Sequence, residues 1–548
     1  MAKCSGCSST TCNCFLEVID SPTVTLTKIG TGSPGDPWSI QADFIGSTVH
    51  DGVGIGSTYT SLSVNSPVSS GEGSVAIGQF ALAGGGAFGG EIAVGWNTDA
   101  TNTNALAIGT GAQATGDSAT AVGPNTSSSG SSSIALGNGA TATANFAIAL
   151  KGAASADDTL TIGRSSAASI GFGIAIGTNS LASTGNEAIA IGSGTNSTAG
   201  PQSTAQGAIA IGGSNGAAVN GPRASGFSCI AIGSGDATFA GASATGDYSI
   251  ALGERSSAAD TSIAIGYGSS GTLLGTSLGV FATTAGTQAV AIGSGADATR
   301  GPSAAGSNAI AIGTGGVAGV NGARASGTTS IAIGSTTTTG AAGALASATG
   351  SIAIGNNSIS SIAQSVAIGS RATASTGASS IAVGGGVDAT RAPSATGVAA
   401  ISIGGNDTAA NNGPRSSGAQ SIAIGGGTSG ASGASATAAQ SIAIGRATSA
   451  THATAVALGA GATTTATNQV RLGTAAESVS IPGFTKAEKQ IYPATDALAA
   501  QTASGLLAGT GIPNNANGNN GDFYFRSDGG AGSCVYQKRA GSWVATGA

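Results

Sequence analysis

The sequence is poor in charged and aromatic side chains. Of its 548 residues, only 8% are Asp, Glu, Lys or Arg and 4% are Phe, Trp or Tyr, whereas 95 are glycine. A conventional globular core needs large side chains, so this composition argues against one. A disordered polar tract is also disfavoured, because such tracts are rich in charge and poor in isoleucine. Small residues with regularly spaced isoleucine instead favour a thin, tightly stacked β structure.

Basic residues and long apolar segments are scarce as well. The net charge is −6 and the few Lys and Arg residues are scattered, so we expect no nucleic-acid partner. The N-terminus has no apolar leader, and no uninterrupted stretch of about 20 apolar residues occurs. We therefore expect synthesis in the cytoplasm without a signal peptide, and no insertion into a membrane.

Catalytic patterns are also missing. The two histidines, His50 and His452, stand alone without a nearby nucleophile pattern. Acidic residues are sparse in the central region and fall between predicted strands, where Asp favours turns, rather than as paired carboxylates. The sequence therefore predicts a protein that is not an enzyme and needs no cofactor for catalysis.

A five-residue pattern, Ser-Ile-Ala-Ile-Gly, organises the chain. It is complete at residues 262–266, 330–334, 351–355, 421–425 and 441–445 and has many near copies. As a β-strand, it places two branched aliphatic residues on one face and small residues on the other, and its glycine permits a turn. One such strand buries nothing alone, but many at fixed spacing stack into a solenoid.

The copies recur from about residue 71 to residue 473, with a degenerate copy near residue 150. Most are 13 to 15 residues apart, but spacings of 20 or 21 occur in three sets, at 192–253, 293–355 and 384–445. About 25 coils stacked at ~4.8 Å would form a rod of roughly 120 Å. Because each coil encloses a thin core, we expect three chains to pack side by side and bury the remaining apolar face.

Ser-Val-Ala-Ile-Gly at a spacing of 14 residues, with small-residue runs such as 140–144 between copies, resembles the YadA-like head repeat of trimeric autotransporter adhesins. The resemblance implies an all-β fold in which three chains surround one axis. Each chain would be a left-handed parallel β-roll, a form of solenoid. The chain has no long heptad stalk of the kind that autotransporters carry.

Smaller modules flank the repeats. We predict an N-terminal β attachment module at 1–56, the β-roll at 57–473, a closing coil with a short helical neck at 474–507, and a linker with a β tip at 508–548. The cysteine-rich start, followed by Gly-Thr-Gly and Asp-Pro-Trp, resembles minor tail proteins of phages of actinobacteria. The aromatic C-terminal segment resembles the tip of phage tail fibres and collagen-like phage proteins.

The N-terminal cysteines form the one metal-like cluster, consisting of Cys4, Cys7, Cys12 and Cys14. Four thiolates could close a tetrahedral structural zinc site. Disulfides within or between chains, or free thiols, explain the same spacing. The sequence leaves these alternatives open. Cys229, just before a repeat strand, is interpreted as a small buried residue.

Two groups of residues are candidates for contact with a receptor. In the tip they are Tyr524, Arg526, Asp528 and Trp543. Exposed aromatic residues beside charges bind sugars and proteins well, although so small a module also needs its aromatic residues as core. In the inserts of the long coils, five arginines recur: Arg223, Arg300, Arg324, Arg391 and Arg415. They either contact sugars or acidic wall polymers, or keep the inserts solvated and prevent edge pairing.

Together these features predict a homotrimeric phage tail fibre protein without catalytic activity. Its N-terminus would dock on a tail or baseplate protein, and its tip would bind a host surface glycan or protein through multivalent contacts. We expect it in the virion, facing the host exterior. The alternatives are a bacterial surface trimeric adhesin and, given the threonine-rich runs, an ice- or surface-binding β-solenoid.

Overall fold

The computed structural model divides the chain into two compact units, Met1–Ala475 and Ala476–Ala548. Four N-terminal strands are described by their backbone only: Val24–Ile29, Ser39–Phe44, Val53–Ile55 and Val68–Ser69. Backbone and side chains are both described for 74–85, 89–216, 219–316, 320–335, 342–406, 411–428, 430–474, 507–516, 518–528 and 534–546, and Leu506 is described by its backbone. Throughout these ranges the regular secondary structure is β-strand. The four N-terminal cysteines and most of the predicted helical neck, residues 475–505, lie outside them.

The first unit contains one antiparallel pair, Val24–Ile29 with Ser39–Phe44, and two long parallel sheets. Nearly every coil contributes one strand to each of the parallel sheets. The sheet that we call the triplet sheet consists of three-residue strands at Val53–Ile55, Val75–Ile77, Ile92–Val94, Leu106–Ile108, Thr120–Val122, Ile134–Leu136, Ile148–Leu150, Leu160–Ile162, Ile174–Ile176, Ile189–Ile191, Ile209–Ile211, Ile230–Ile232, Ile250–Leu252, Ile263–Ile265, Thr276–Leu278, Val290–Ile292, Ile310–Ile312, Ile331–Ile333, Ile352–Ile354, Val366–Ile368, Ile381–Val383, Ile401–Ile403, Ile422–Ile424, Ile442–Ile444, Val456–Leu458 and Val470–Leu472.

The second sheet, which we call the doublet sheet, consists of two-residue strands at Val68–Ser69, Leu82–Ala83, Asp99–Ala100, Gln113–Ala114, Ser127–Ser128, Thr141–Ala142, Ala153–Ala154, Ala167–Ala168, Leu181–Ala182, Gln202–Ser203, Arg223–Ala224, Ser243–Ala244, Ser257–Ala258, Ser270–Gly271, Thr283–Thr284, Ser303–Ala304, Arg324–Ala325, Leu345–Ala346, Ile359–Ser360, Thr373–Ala374, Ser394–Ala395, Arg415–Ser416, Ser435–Ala436 and Ser449–Ala450. Each strand pairs in parallel with the equivalent strand of the next coil. Pairing in the triplet sheet begins at Val53, slightly before the predicted start of the repeats at residue 57.

The interior between the two sheets is narrow and filled by small side chains. In the coils from Val75 to Leu458 the middle residue of the triplet strand points inward, as Ala311 does with no exposed surface. The second residue of the doublet strand, such as Ala304, points inward as well. Where serine replaces alanine, its hydroxyl finds a partner inside; the Ser128 and Ser133 Oγ atoms lie 2.6 Å apart. The isoleucines of the repeat therefore cannot be the core, and they lie on the outer face.

The closing glycine that follows nearly every triplet strand is required by a close backbone approach. At Gly192 the φ angle is +137°, and a Cβ atom there would lie 1.8 Å from the carbonyl oxygen of Gly212 in the next coil. Because coils stack at the strand spacing, no adjustment opens room for a side chain. The glycine thus sets both the turn and the tight stacking of the coils.

The two corners of each coil differ in how they accept length changes. The corner from the doublet strand to the next triplet strand, which we call the tight corner, is five residues long in most coils and varies only between four and eight. The opposite corner, which we call the insert corner, absorbs all of the long spacings, as between Ile189–Ile191 and Gln202–Ser203. It is also shortened at the degenerate copy, where Lys151 turns the chain with φ of 61°. The register of both sheets is unaffected by these changes.

The second unit contains a four-stranded sheet. Its strands are Leu506–Gly509, Phe523–Arg526, Val535–Arg539 and Ser542–Ala545. The first pair is parallel and the other two pairs are antiparallel. A linker with a β tip was expected at 508–548, but the sheet begins at Leu506, within the segment that was predicted to be the closing coil and helical neck.

The predicted all-β fold with stacked parallel coils is confirmed. The hand of the coils and the number of associating chains stay predictions. Among the described residues, no helix is long and apolar enough to cross a membrane.

Glu91 breaks the small-residue rule of the interior and generates a stability prediction. Its side chain is fully buried, and neither carboxylate oxygen has a hydrogen-bond partner. The equivalent positions in the next two coils are Ala105 and Ala119. A buried polar group without a partner costs about 1–3 kcal/mol. We expect Glu91→Ala to raise the thermal unfolding midpoint, and Ala119→Glu, the matched reverse change, to lower it. An unchanged or lower midpoint for Glu91→Ala would contradict this account.

Candidate functional site

The outer face of the triplet sheet is a continuous aliphatic surface. Each strand directs its first and third side chains outward, so that half-buried Ile310 and Ile312 flank buried Ala311. Stacking in register turns these side chains into two columns that run along the roll. From Val75 to Leu458 both columns are aliphatic except at Thr120 and Thr276, and neither column carries a charge. The sequence predicted that one chain alone would leave an apolar face uncovered, and these columns form that face. We call it the aliphatic face.

The inserts of the long coils stack on one another at the insert corner. In the first set, Ser214 forms parallel bridges with Gly194 and with Gly235 of the coils on either side, and in the third set Gly386 pairs with Asn406. Shallow open grooves lie along these pairs at equivalent places in both sets. The grooves are lined mainly by glycine, serine, threonine and asparagine, so they carry little charge.

The first insert of each set begins with the same hydrogen-bonded turn. The Oδ1 atom of Asp297 accepts hydrogen bonds from the backbone N–H and hydroxyl of Thr299, at 2.9 and 2.7 Å. Chiefly because of the Thr299 hydroxyl, the pKa of Asp297 lies below its ordinary value. Asp388 makes the same turn with Thr390. Asn196 makes the equivalent turn with Thr198, although its side chain is a neutral amide. Aspartate in these inserts therefore serves turn geometry, as the sequence indicated.

The five predicted insert arginines bond within the inserts. Arg300 and Arg391 pair with the turn aspartates three residues before them. Arg324 donates from Nη2 to the carbonyl of Thr299 at 2.6 Å, and Arg415 makes the equivalent bond to Thr390 at 3.3 Å. Arg223 donates to Asn220 Oδ1 at 3.0 Å. The bonds of Arg324 and Arg415 join one insert to the next, and the other three contacts lie within a single insert. All five support the structural interpretation of the arginines.

An aromatic cluster around Arg255 was not anticipated from the sequence. The Arg255 guanidinium carbon lies 4.2 Å from the centre of the Phe239 ring, and the rings of Tyr267 and Phe281 meet edge to face at 5.2 Å. Beside it, burial and the nearby Asp236 raise the pKa of Glu254. The cluster closes the end of the first insert set. Its members are far apart in sequence and only the coil spacing brings them together, which is why no local motif revealed it.

The four tip candidates are brought together in the C-terminal sheet, but they are not equally accessible. Trp543 is only 9% exposed, and its indole N–H donates to the carbonyl of Asn514 at 3.1 Å. Tyr524 contacts it edge to face, with ring centres 5.9 Å apart. Trp543 therefore belongs to the core of the tip and offers little surface to a receptor. This is the role that the small size of the module requires.

Arg526 and Asp528 form an exposed ion pair, with Nε and Oδ1 2.9 Å apart. The Asp528 carboxylate also accepts the backbone N–H of Gly511 at 2.7 Å. The hydrogen bond from Arg526, followed by that from Gly511, lowers the pKa of Asp528. With the half-buried Tyr524, this pair remains the accessible part of the predicted tip site.

Metal binding is not located within the described ranges, where no group of three or more His, Cys, Asp or Glu side chains could hold a metal ion. The four N-terminal cysteines fall outside those ranges. Cys229 is fully buried, as predicted for a small core residue, and burial raises the pKa of its thiol.

Comparison with protein families identifies the repeat. The model of the YadA head domain repeat (2 copies) matches residues 100–126, 128–150, 172–195, 240–256, 244–269, 275–296, 321–337, 342–358, 346–372, 363–386 and 436–462. These segments cover less than half of the chain and lie in the first unit. A search of curated proteins found no match. The chain thus carries YadA head repeats, the repeats of trimeric autotransporter adhesins, and these indicate an adhesin-like surface protein.

The turn at Asp297 leads to a prediction with a control supplied by the chain. Asp297→Ala removes the acceptor for the backbone N–H of Thr299 and the partner of the Arg300 guanidinium, so the amide of Thr299 should exchange with solvent several-fold faster. Asp297→Asn should retain protection, because Asn196 makes the same turn. Hydrogen–deuterium exchange measures both. Equal protection in the alanine and asparagine variants would contradict the role of this side chain.

The depressed pKa of Asp528 predicts acid sensitivity in the tip. A carboxylate whose folded pKa is below its unfolded value of 3.8 stabilises the fold above that value, and loses this contribution as the pH falls through the folded pKa. The protection factor of the Gly511 amide should therefore fall in acid. In Asp528→Asn it should be lower at neutral pH and vary little between pH 5 and pH 2. Retained acid dependence in that variant would assign the effect to another group.

Proposed function

We propose that this chain is a homotrimeric fibre protein of a phage tail that attaches the particle to a host cell surface. The single observation that carries the proposal is the aliphatic face. It runs uncharged along the roll, and exposed apolar patches of this extent mark interaction sites. Packing three chains through it would turn three thin coils into one rod with a shared apolar core.

The number three is supported by the repeat family. YadA-like adhesins are homotrimers, and their head repeats match this chain in both halves of the roll. A closed trimer removes every copy of the aliphatic face from water, whereas a single chain leaves it exposed. Burial of apolar surface contributes about 25 cal/mol per Å², so a face of this length strongly favours association.

The attachment role assigns one task to each part. The N-terminal residues dock on a tail or baseplate protein, the roll is a stiff spacer, and the tip with Tyr524, Arg526 and Asp528 meets a host glycan or protein. Three chains and several fibres would amplify weak individual contacts. The function requires no catalysis or cofactor, and the protein would reside in the virion. Any zinc or disulfides at the N-terminal cysteines would be structural.

A bacterial surface trimeric adhesin is the second candidate. It is favoured by the match to the YadA head repeat, because that repeat belongs to surface adhesins. Location discriminates between the two candidates. Antibodies raised against the roll should label purified virions at their tails under the phage hypothesis and bacterial envelopes under the adhesin hypothesis.

Trimer formation through the aliphatic face can be tested by substitution. Ile310→Asp places a charge in the face and should convert a particle of three 50.8-kDa chains to single chains in light scattering. Ser303→Asp is the matched control, because Ser303 is the outward residue of the doublet strand in the same coil. It should leave the trimer intact. A trimer that survives Ile310→Asp would show that this face is not the subunit contact.

A further inference from the structure

The tight corner exposes a row of aromatic rings. Phe146, Phe172 and Tyr248 are 59–60% exposed, and Phe227 is 37% exposed. All four lie in the turn that leads from a doublet strand to the next triplet strand. Large aromatic side chains are normally withdrawn from water, and this chain has few of them. We call these four residues the aromatic edge.

The turn does not require an aromatic residue at this position. Phe146, Phe172 and Tyr248 have φ angles of 56–58°, a left-handed conformation that bulky residues adopt at an energetic cost. The same turn position is Asn, Ser, Thr, Gln or Gly in most other coils, and these residues suit it better. Since neither packing nor backbone geometry favours an aromatic residue here, the exposed rings require another explanation, such as contact with a partner.

The aromatic edge is surrounded by negative charge. Carboxylates at the two outer turn positions of neighbouring coils are Asp117, Asp157, Asp158, Glu187, Asp247 and Asp260. No Lys or Arg occupies these positions between residues 103 and 468. Beyond residue 274 the same positions carry no acid and no aromatic ring. Charge and exposed rings are therefore confined to the same half of the roll.

Two of the carboxylates are fixed near aromatic residues by hydrogen bonds between neighbouring coils. Asp247 Oδ1 accepts the backbone N–H of Phe227 at 2.8 Å, and the Phe227 and Tyr248 rings meet edge to face at 5.4 Å. Asp157 Oδ1 accepts the backbone N–H of Asn145, the residue before Phe146, at 2.9 Å. Each carboxylate is held on one coil next to an aromatic residue of the preceding coil. Both sites thus place a carboxylate near an aromatic residue of the neighbouring coil.

We propose that the aromatic edge binds a positively charged segment of a partner protein. Lys and Arg side chains are attracted both to the faces of aromatic rings and to carboxylates. This deepens the proposed adhesive function by adding a contact on the side of the roll, and it rests on that function. A glycan of identical units would favour rings at a constant interval. Here successive aromatic turns are two, three and one coils apart, which favours a non-repeating protein partner.

The first experiment measures binding of the full-length protein to a synthetic Lys- and Arg-rich peptide. The control peptide has the same sequence with Glu at the basic positions. Only the basic peptide should bind, and raising the salt from 50 mM to 500 mM should weaken it strongly, because surface charges are screened. Equal binding of the two peptides, or no binding of either, would overturn the proposal.

The second experiment locates the contact. A variant with Phe146, Phe172 and Tyr248 all changed to Ala should bind the basic peptide ~10-fold more weakly. The matched control changes Gln364, Gln420 and Gln440, which occupy the same turn position in the other half of the roll, to Ala. It should bind as the unchanged protein does. Equal affinity of both variants would place the contact elsewhere.

Two further outcomes would also overturn the proposal. If amino-sugar oligomers compete for the edge more strongly than the peptide, the partner is a glycan. If the triple aromatic variant no longer forms the trimer, the edge is a contact between subunits. The subunit count and the antibody labelling of virions are measured independently of peptide binding. A result that overturns the proposed peptide contact is therefore distinguishable from a result that overturns the fibre hypothesis.

Discussion

Each coil has two short strands, one in each parallel sheet, and the two sheets lie close together. Only Ala, Ser, Thr and Gly fit regularly in the space between them. Ala304 and Ala311 come from opposite sheets of one coil, and both lack exposed surface. Glycine at positions such as Gly192 extends the restriction to the stacking direction, since a Cβ atom would collide with the next coil. The width of the coil therefore determines which residues can be inside, and it displaces the large aliphatic side chains of the triplet strands to the outside.

This displacement links the fold to assembly. Alanine contributes little apolar surface, so a single roll has a weak core, and most of its hydrophobic potential lies in the outward isoleucines. Parallel strand pairing in strict register arranges these side chains into long columns rather than scattered patches. A surface of this kind is complementary to another copy of itself, which is why we favour association of identical chains over a small ligand at this face.

The sequence predicted the fold well because one period controls both strand spacing and register. Repeats of Ser-Ile-Ala-Ile-Gly are sufficient to place the strands, the turns and the uncovered apolar face. Contacts between coils were not predictable, because they join residues that are unrelated in sequence, such as Arg324 with Thr299 and Arg255 with Phe239. Burial of Trp543 was left open for a similar reason, since it depends on the loop that carries Asn514. The aromatic edge was missed because single rings dispersed over a hundred residues form no motif until the coils are stacked.

The two corners of the coil differ in how much their number of residues varies from one coil to the next. The insert corner accepts changes in length without disturbing the sheets, and its polar side chains are largely engaged with one another, as in the turns at Asp297 and Asp388. The tight corner varies much less, between four and six residues from residue 101 to residue 455, so equivalent turn positions recur in nearly every coil along the roll. A recognition surface needs defined spacing more than it needs length. This makes the tight corner better suited to specific contacts, even though the inserts are the more conspicuous feature of the sequence.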